Sequence, residues 1–251
     1  MIMFLKKFSR KIYYQGSTYK CPFCKKTARL FVPRRSASKV MKERHIVGGG
    51  SRKNCYCPWC GSKDRERLVW IFLRDRSDLL KKNIKLLHIA PERKLRNVLQ
   101  EQKSIEYVSG DKFTEGYAYP ENTVNLDLLK LPFKDKLFDW IICNHTLEHI
   151  EDDKKAMKEM CRVLKNSGFA VLQAPISYDL EKTEEDSSVV MPKDREKRFG
   201  QFDHVRIYGK DYVQRLTSSG FVVNEIIPAE SGIDVERYAL NPEERVYLVH
   251  K

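Results

Sequence analysis

The chain has 251 residues, 41% of them apolar, enough for one large domain with a small appendage. Its formal charge of +13 is uneven: residues 1–82 carry 22 Lys and Arg against 5 Asp and Glu, and residues 83–251 carry 25 against 29. The basic excess sits in the first third, where it favours anionic or phosphate-bearing partners without naming one. No run of 18 apolar residues exists, which excludes a transmembrane helix.

At the start, Met1 to Leu5 followed by Lys6, Lys7, Arg10 and Lys11 is too short for a signal-peptide core, and its charges lie on the wrong side. It is expected to fray or to pack as a short helix; weak contact with an anionic membrane is the alternative. Seven cysteines without a secretory signal point to a reducing compartment, the cytoplasm, and to metal or plain burial rather than disulfides.

Cys21-Pro-Phe-Cys24 and Cys57-Pro-Trp-Cys60 are two Cys-x-x-Cys knuckles separated by 32 residues. Each offers two thiolates from a tight turn, and together they complete a tetrahedron around structural Zn2+. Metal binding would supply folding energy to a segment with little apolar material. Four sulfurs close such a site, so it does no chemistry. Cys55 can replace Cys57 as a ligand, although Cys57 and Cys60 have the better spacing. Gly48-Gly49-Gly50, flanked by Arg44, His45, Arg52 and Lys53, reads as a solvated loop with His45 at the surface. The pattern predicts a basic zinc-ribbon-like module over 1–63. A connecting helix follows over 64–82, with a broad apolar face from Leu68 to Leu73 to cover a sheet.

From residue 83 apolar runs alternate with helical periodicity. Strands are expected at 85–90, stopped by Pro91, at 105–109, 123–126, 138–143 and 169–174, with late strands at 221–227 and 246–249. Helices are expected at 92–102, at 152–164 capped by Asp152, and at 210–219. This is a parallel sheet with helices on both faces. The charged stretch 177–201 reads as a loop-like lid. The first four strands end in polar residues at one edge, where open α/β sheets bind ligands. Asp111, about 20 residues after the first turn, can accept two hydrogen bonds from a ribose. No Gly-x-Gly-x-x-Gly is present to admit a pyrophosphate, which leaves a nucleoside ligand without phosphates.

Val124 to Phe133, Phe138 to Ile150 and Arg162 to Phe169 together resemble the class I S-adenosylmethionine-dependent methyltransferases, and more narrowly their type 11 group, over about residues 83–227. The segment Phe199 to Tyr208 recurs in similar uncharacterised methyltransferases that carry an N-terminal cysteine cluster. The resemblance implies a Rossmann-like seven-stranded sheet, mostly parallel with the last strand antiparallel, over 83–251, and S-adenosyl-L-methionine as cofactor. It places the loop of His88, Ala90 and Glu92 at the methionine part and Asp111 on the ribose. It sets Asp127 and Leu128 beside the adenine, and Asn144 and His145 near the sulfonium. The family loop carries an acid and two glycines where this chain has His88, Ala90 and Glu92. Ala90 fits if its φ stays negative, while Glu92 needs a different loop path. Lys165 to Gly168 keeps one glycine of the usual pair.

Methyl transfer to a hydroxyl needs orientation and a base. The histidines expected at the mouth are His204, His149 and His145, with Arg206 and Tyr208 as supports for His204. The fourth strand ends in Asn-His-Thr-Leu and lacks the Asn/Asp-Pro-Pro-Tyr/Phe arrangement that grips a planar amine. The expected activity is therefore methyl transfer to a hydroxyl of a small molecule or saccharide. Ring-nitrogen methylation of RNA held by the basic module is the alternative, and a non-catalytic binding protein on this fold is the second.

Overall fold

The computed structural model describes residues 12–35, 38–116 and 118–251. The expectation of a packed or membrane-touching segment at Met1 to Lys11 lies outside them. Seven strands form the main sheet: β1 (Ile84–Ile89), β2 (Ile105–Asp111), β3 (Thr123–Asn125), β4 (Phe138–Asn144), β5 (Leu164–Gln173), β6 (Val222–Ile226) and β7 (Val246–His250). Their order is β3-β2-β1-β4-β5-β7-β6. All neighbours are parallel except β7, which runs antiparallel to β5 and β6. Strand order reverses between β1 and β4, the switch point at which a crevice opens beyond the strand ends.

The helices are α1 (Lys39–Glu43), α2 (Asp64–Asp75), α3 (Arg93–Gln100), α4 (Asp153–Val163), α5 (Pro192–Phe199) and α6 (Tyr212–Ser218). Strands β1, β4 and β5 are buried on both faces, so their sequences are continuous apolar runs rather than alternations. Leu87, Ile89 and Ile141 pack on one face with Met157 and Met160 of α4 and Leu216 of α6. Leu86, Trp140, Ile142 and Val171 pack on the other with Leu68 to Leu73 of α2 and Leu95 and Leu99 of α3. The Asp152 carboxylate accepts from Lys155 N at 2.9 Å and caps α4.

Three local expectations are corrected. Helix α2 stops at Asp75, because Ser77 turns the chain: its hydroxyl donates to Leu73 O and accepts from Leu79 N. The Gly48–Gly50 stretch is no solvated loop. Gly48 and Gly50 are buried, and Ile46–Val47 pairs antiparallel with Ile176–Ser177 of the body. At Gly48, φ is +80°, and a Cβ there would meet Glu244 at 2.9 Å and His145 at 3.1 Å; only glycine turns the chain this close to them. The 177–201 insertion is structured. Pro192 opens α5 and Gly200 ends it, Phe199 packs with Met41 of α1, and Glu184–Glu185 pairs with Arg206–Ile207. Among the described residues no helix is long and apolar enough to cross a membrane.

One side chain binds the first third to the last. Arg67 on α2 is fully buried. Its Nε donates to Tyr238 O at 2.9 Å, Nη1 to Cys55 O at 3.0 Å and Ser62 O at 2.7 Å, and Nη2 to Asn54 O at 3.1 Å and Ala239 O at 2.5 Å. A guanidinium has five N–H donors, and all five are used. Replacing Arg67 with Met leaves five carbonyls short of a donor, and stability is expected to fall by roughly 3 kcal/mol or more. Arg67→Lys should recover little of it, since an ammonium has three donors and no planar fork. Urea denaturation of the three proteins checks both statements.

Candidate functional site

Both cysteine knuckles are closed by the same backbone turn. Lys25 N donates to Cys21 O at 2.9 Å, and Gly61 N donates to Cys57 O at 2.9 Å. The turns aim four sulfurs at one point: Cys21 and Cys60 Sγ lie 3.6 Å apart, Cys24 and Cys57 Sγ 3.8 Å. All four Sγ atoms fall within 4.8 Å of one another. Cys55 lies outside the group, with its Sγ 3.4 Å from both Arg52 Nη2 and Asp64 Oδ1. The geometry therefore takes Cys57 rather than Cys55. Four converging thiols on two turns suit a tetrahedral ion such as Zn2+. Trp59 donates from Nε1 to Thr27 O at 2.8 Å and packs in this small core.

The second cluster lies at the carboxyl ends of β1 and β4. His88 is fully buried. The Tyr107 hydroxyl lies 2.8 Å from its Nδ1, and its Nε2 is 3.4 Å from Glu92 Oε2. Asn144 Nδ2 donates to the same Glu92 oxygen at 3.3 Å. Burial works against a charge on Glu92, but His88 outweighs it and holds the carboxyl below its ordinary value. Glu92, the acid of this loop, stands at the N-cap of α3 with φ −66°. Ala90 does not meet the condition of a negative φ: it sits at +46°, with its N–H donating to Gly110 O at 2.8 Å. A left-handed alanine costs about 1 kcal/mol, which this bond offsets. Gly110 in turn must be glycine, because a Cβ there would lie 1.9 Å from Leu126 Cδ2.

Asp111, at the end of β2, is half-buried and accepts from Lys112 N through Oδ1 at 2.8 Å. Burial raises its pKa. Asp127 is exposed and accepts from Leu129 N, while Leu128 is buried in the core with Leu87 and Ile89.

His145, His149 and His204 gather beside this loop with Glu148. Two of the three are poor bases. Burial pushes His145 well below its ordinary value, and the charges of Arg65, Arg52 and Lys63 add to the effect. Burial and neighbouring His149 push His204 down to about 4. His149 differs: burial opposes its charge, but Asp203 and Glu148 raise it above the ordinary value. Its Nδ1 lies 3.2 Å from Asp203 O and 3.3 Å from Asp203 Oδ2, and its Nε2 3.9 Å from Glu148 Oε1. Arg206 and Tyr208 do not support His204 as expected. Arg206 donates to Leu147 O, Ile150 O and Glu151 O, and the Tyr208 hydroxyl donates to Asp153 Oδ2 at 2.7 Å. They brace the loop that carries Glu148 and His149.

Among the described residues nine buried side-chain polar atoms lack a hydrogen-bond partner, and seven belong to this edge: Arg65 Nε, His88 Nε2, Glu92 Oε1, Asn144 Oδ1, His145 Nε2, Glu148 Oε2 and Glu244 Oε2. Buried polar atoms are costly unless paired, so their concentration marks a place built for a polar ligand. Sequence reasoning missed Arg65 and Glu244. Arg65 lies in the first turn of α2, yet its charge reaches Glu92, His145, Glu148 and Glu244. No pattern along the chain marks a residue that the fold brings in from 80 positions away.

Residues 86–172 match a family model described as a methyltransferase domain. Over 52 residues the chain is 44% identical to an uncharacterized protein of Methanocaldococcus jannaschii, covering 21% of this chain and 23% of that protein. Over 59 residues it is 30% identical to ajmaline N-methyltransferase of Rauvolfia serpentina, covering 24% of this chain and 20% of that protein. The chain thus matches less than a quarter of the length of these curated relatives. Among solved structures, an S-adenosylmethionine-dependent methyltransferase from Mesorhizobium loti is 16% identical with a TM-score of 0.48, over 73% of this chain and 98% of that one. Another from Archaeoglobus fulgidus is 19% identical with a TM-score of 0.45, over 64% and 72%. The matched residues 86–172 run from β1 to β5 of the Rossmann-like mixed sheet.

Two outcomes are expected. Metal analysis of protein purified without chelator should find about one zinc per chain, lost in Cys57→Ser and kept in Cys55→Ser. Glu244 is buried, and burial with nearby Asp64 pushes its carboxyl up to about 7. The folded protein therefore holds a proton that the unfolded chain releases near pH 4.3. This contribution to stability is full below that value and is lost as pH rises through about 7. Glu244→Gln should gain on the wild type over that window, by roughly 3–4 kcal/mol at pH 8, and denaturation at pH 5 and pH 8 measures the gain.

Proposed function

We propose that this protein transfers the methyl group of S-adenosyl-L-methionine to a hydroxyl of a small molecule or saccharide, working in the cytoplasm with a structural zinc in its cysteine module. The observation that carries the reading is the pair of unpartnered buried acceptors, Glu92 Oε1 and Asn144 Oδ1, on side chains already bonded to each other. They fit the ammonium of the cofactor's methionine part, which brings three N–H donors to a pre-built anionic corner. Asp111 has one oxygen engaged by Lys112 N and offers the other to the ribose hydroxyls. Bound there, the cofactor would supply an activated methyl group.

The protein's own part is orientation, exclusion of water and removal of the acceptor's proton. Of the three histidines proposed as catalytic, His149 has the suitable geometry: Asp203 holds Nδ1 and leaves Nε2 facing the interior. His204 packs edge-on against its ring at 4.7 Å, and His145 closes the floor. The acceptor reading draws on a cavity of about 1160 Å3 between residues 38–54 and 234–243. Val47 and Gly49 line it, and the Gly48 backbone between them faces His145 and Glu244. Its size suits a small molecule or sugar. Lys39, Lys42 and Lys53 on its wall suit one bearing phosphate.

RNA is the second reading, favoured by a separate cleft where Lys39 and Arg44 meet Lys193, Lys197 and Arg198. Calorimetry with S-adenosylhomocysteine tests the cofactor site: binding is expected, weakened roughly 30-fold or more (about 2 kcal/mol) in Asp111→Ala. No heat with the wild type at millimolar ligand would reject the reading. A labelled-methyl screen of metabolites and glycans against total RNA then separates the acceptors. Label in RNA, with affinity falling steeply between about 50 and 200 mM salt, would overturn the small-molecule assignment.

A further inference from the structure

We infer that Glu148, His149 and His204 form a binding site for a divalent first-row metal ion, separate from the four cysteines. One ligand atom from each of these residues falls within 4.8 Å of the other two. The site satisfies three requirements that a chance grouping of side chains does not meet together.

First, the donor set is chemically coherent. Two imidazoles and one carboxylate on one side of an ion leave its remaining positions open, the arrangement of metal sites that act on a bound oxygen. Second, an outer nitrogen is engaged. A metal-ligating histidine gives its other ring N–H to a carboxylate or carbonyl, which fixes its tautomer and aim. His149 does this with Asp203, through Nδ1. Third, Glu148 is 2% exposed and its Oε2 has no hydrogen-bond partner. An unpaired buried carboxylate oxygen is costly; burial raises the pKa of Glu148, and either a proton or a cation offsets that cost.

The ligands come from two segments that are tied together. Val205 N donates to Glu148 O at 3.0 Å, and Arg206 Nη1 donates to Leu147 O at 3.0 Å, on either side of the ligand pairs. Glu148 and His149 lie in a single turn of 3-10 helix, Leu147–His149, whose last N–H, that of Ile150, donates to Leu147 O at 3.2 Å. The carboxylate and the first imidazole are thus adjacent in sequence and held on a rigid corner, and the strand bearing Arg206 brings up the second imidazole.

What the ion does rests on the methyl-transfer reading; that it binds does not. An acceptor hydroxyl on the ion's open positions gives up its proton to solvent more readily, and two neighbouring oxygens on the acceptor can chelate it. The acceptor class therefore narrows to compounds with vicinal oxygens, such as the diol of a sugar or a catechol. With the ion in place, His149 Nε2 is a ligand, and the activation assigned to it passes to the metal.

The test uses the full chain with its cysteine-bound zinc left in place. Titration with Co2+ or Mn2+, followed by calorimetry and by elemental analysis after desalting, should show one further equivalent that EDTA removes while the zinc stays. The Co2+ form should show weak visible bands from nitrogen and oxygen ligation, without the intense near-ultraviolet bands of thiolate. Affinity should drop at least 100-fold in His149→Gln and in His204→Gln. Glu148→Gln, which keeps the shape and removes the charge, should drop it at least 10-fold. Circular dichroism and S-adenosylhomocysteine binding confirm that each variant is folded. No second equivalent at 1 mM metal, or uptake unchanged in the folded variants, overturns the site. S-Adenosylhomocysteine binding without metal uptake rejects the metal site alone, and metal uptake without cofactor binding rejects the methyl-transfer reading alone.

Discussion

A buried guanidinium with every donor engaged holds the two ends of this chain together. Arg67 reaches carbonyls of the second knuckle strand at Asn54 and Cys55, of the knuckle itself at Ser62, and of the late segment at Tyr238 and Ala239. It also stacks over Phe31, its carbon 4.7 Å from the ring centre. A charge buried in this way persists only if each of its hydrogens has an acceptor. That requirement fixes the register of three separate backbone stretches at once. Because Arg67 lies in the first turn of α2, the same anchor sets where Lys63, Asp64 and Arg65 stand. These residues bring the charge of the cysteine module to the ends of β1 and β4.

The module is therefore part of the site rather than an appendage. Leu68 to Leu73 share a core with β1, β4 and β7. Ile46–Val47 makes a short ladder with the chain just past β5, and Arg52 forms an ion pair with Asp64 in which both side chains are almost fully covered. Ser62 and Arg67 link the Cys57–Cys60 turn to α2, and so to the wall of the strand-end crevice.

The crevice itself is a region where stability is given up. Paired buried groups elsewhere are well satisfied: Asp153, for example, takes bonds from Tyr208 and Arg215. At the strand ends the orphaned atoms accumulate instead, on His88, Glu92, Asn144, His145 and Glu148. Two of the left-handed non-glycine residues, Ala90 and His145, are there as well, at φ +46° and +51°. Strain and unsatisfied polarity together are what a binding edge carries before its ligand supplies the missing partners. Glu92 at the cap of α3 accepts from Asn144 and lies 3.4 Å from His88 Nε2 within this strained edge.

Local chemistry along the chain determined a good deal of this. Apolar runs broken by Pro91 and Pro175, Asp152 before a 3–4 periodicity, and polar strand ends fixed the alternating sheet and its ligand edge, because burial on two faces demands continuous apolar strands. The Cys-x-x-Cys spacing determined each knuckle, since a knuckle is a short-range object, while the fold brought the two together and took Cys57 rather than Cys55. Proximity across the fold was decided only by tertiary structure. Gly48 to Gly50 looked solvated because glycines and flanking charges usually are, yet Gly48 and Gly50 are buried where Gly48 lets the chain pass beside Glu244 and His145. Arg206 and Tyr208 sat next to His204 in sequence but turn to other partners, because a buried arginine goes where the carbonyls are. Arg65 and Glu244 are separated by most of the chain and by nothing a periodicity records. They meet because the Arg67 anchor and the antiparallel return of β7 bring their segments to one edge of the sheet, and long-range electrostatic pairing leaves no mark on local sequence.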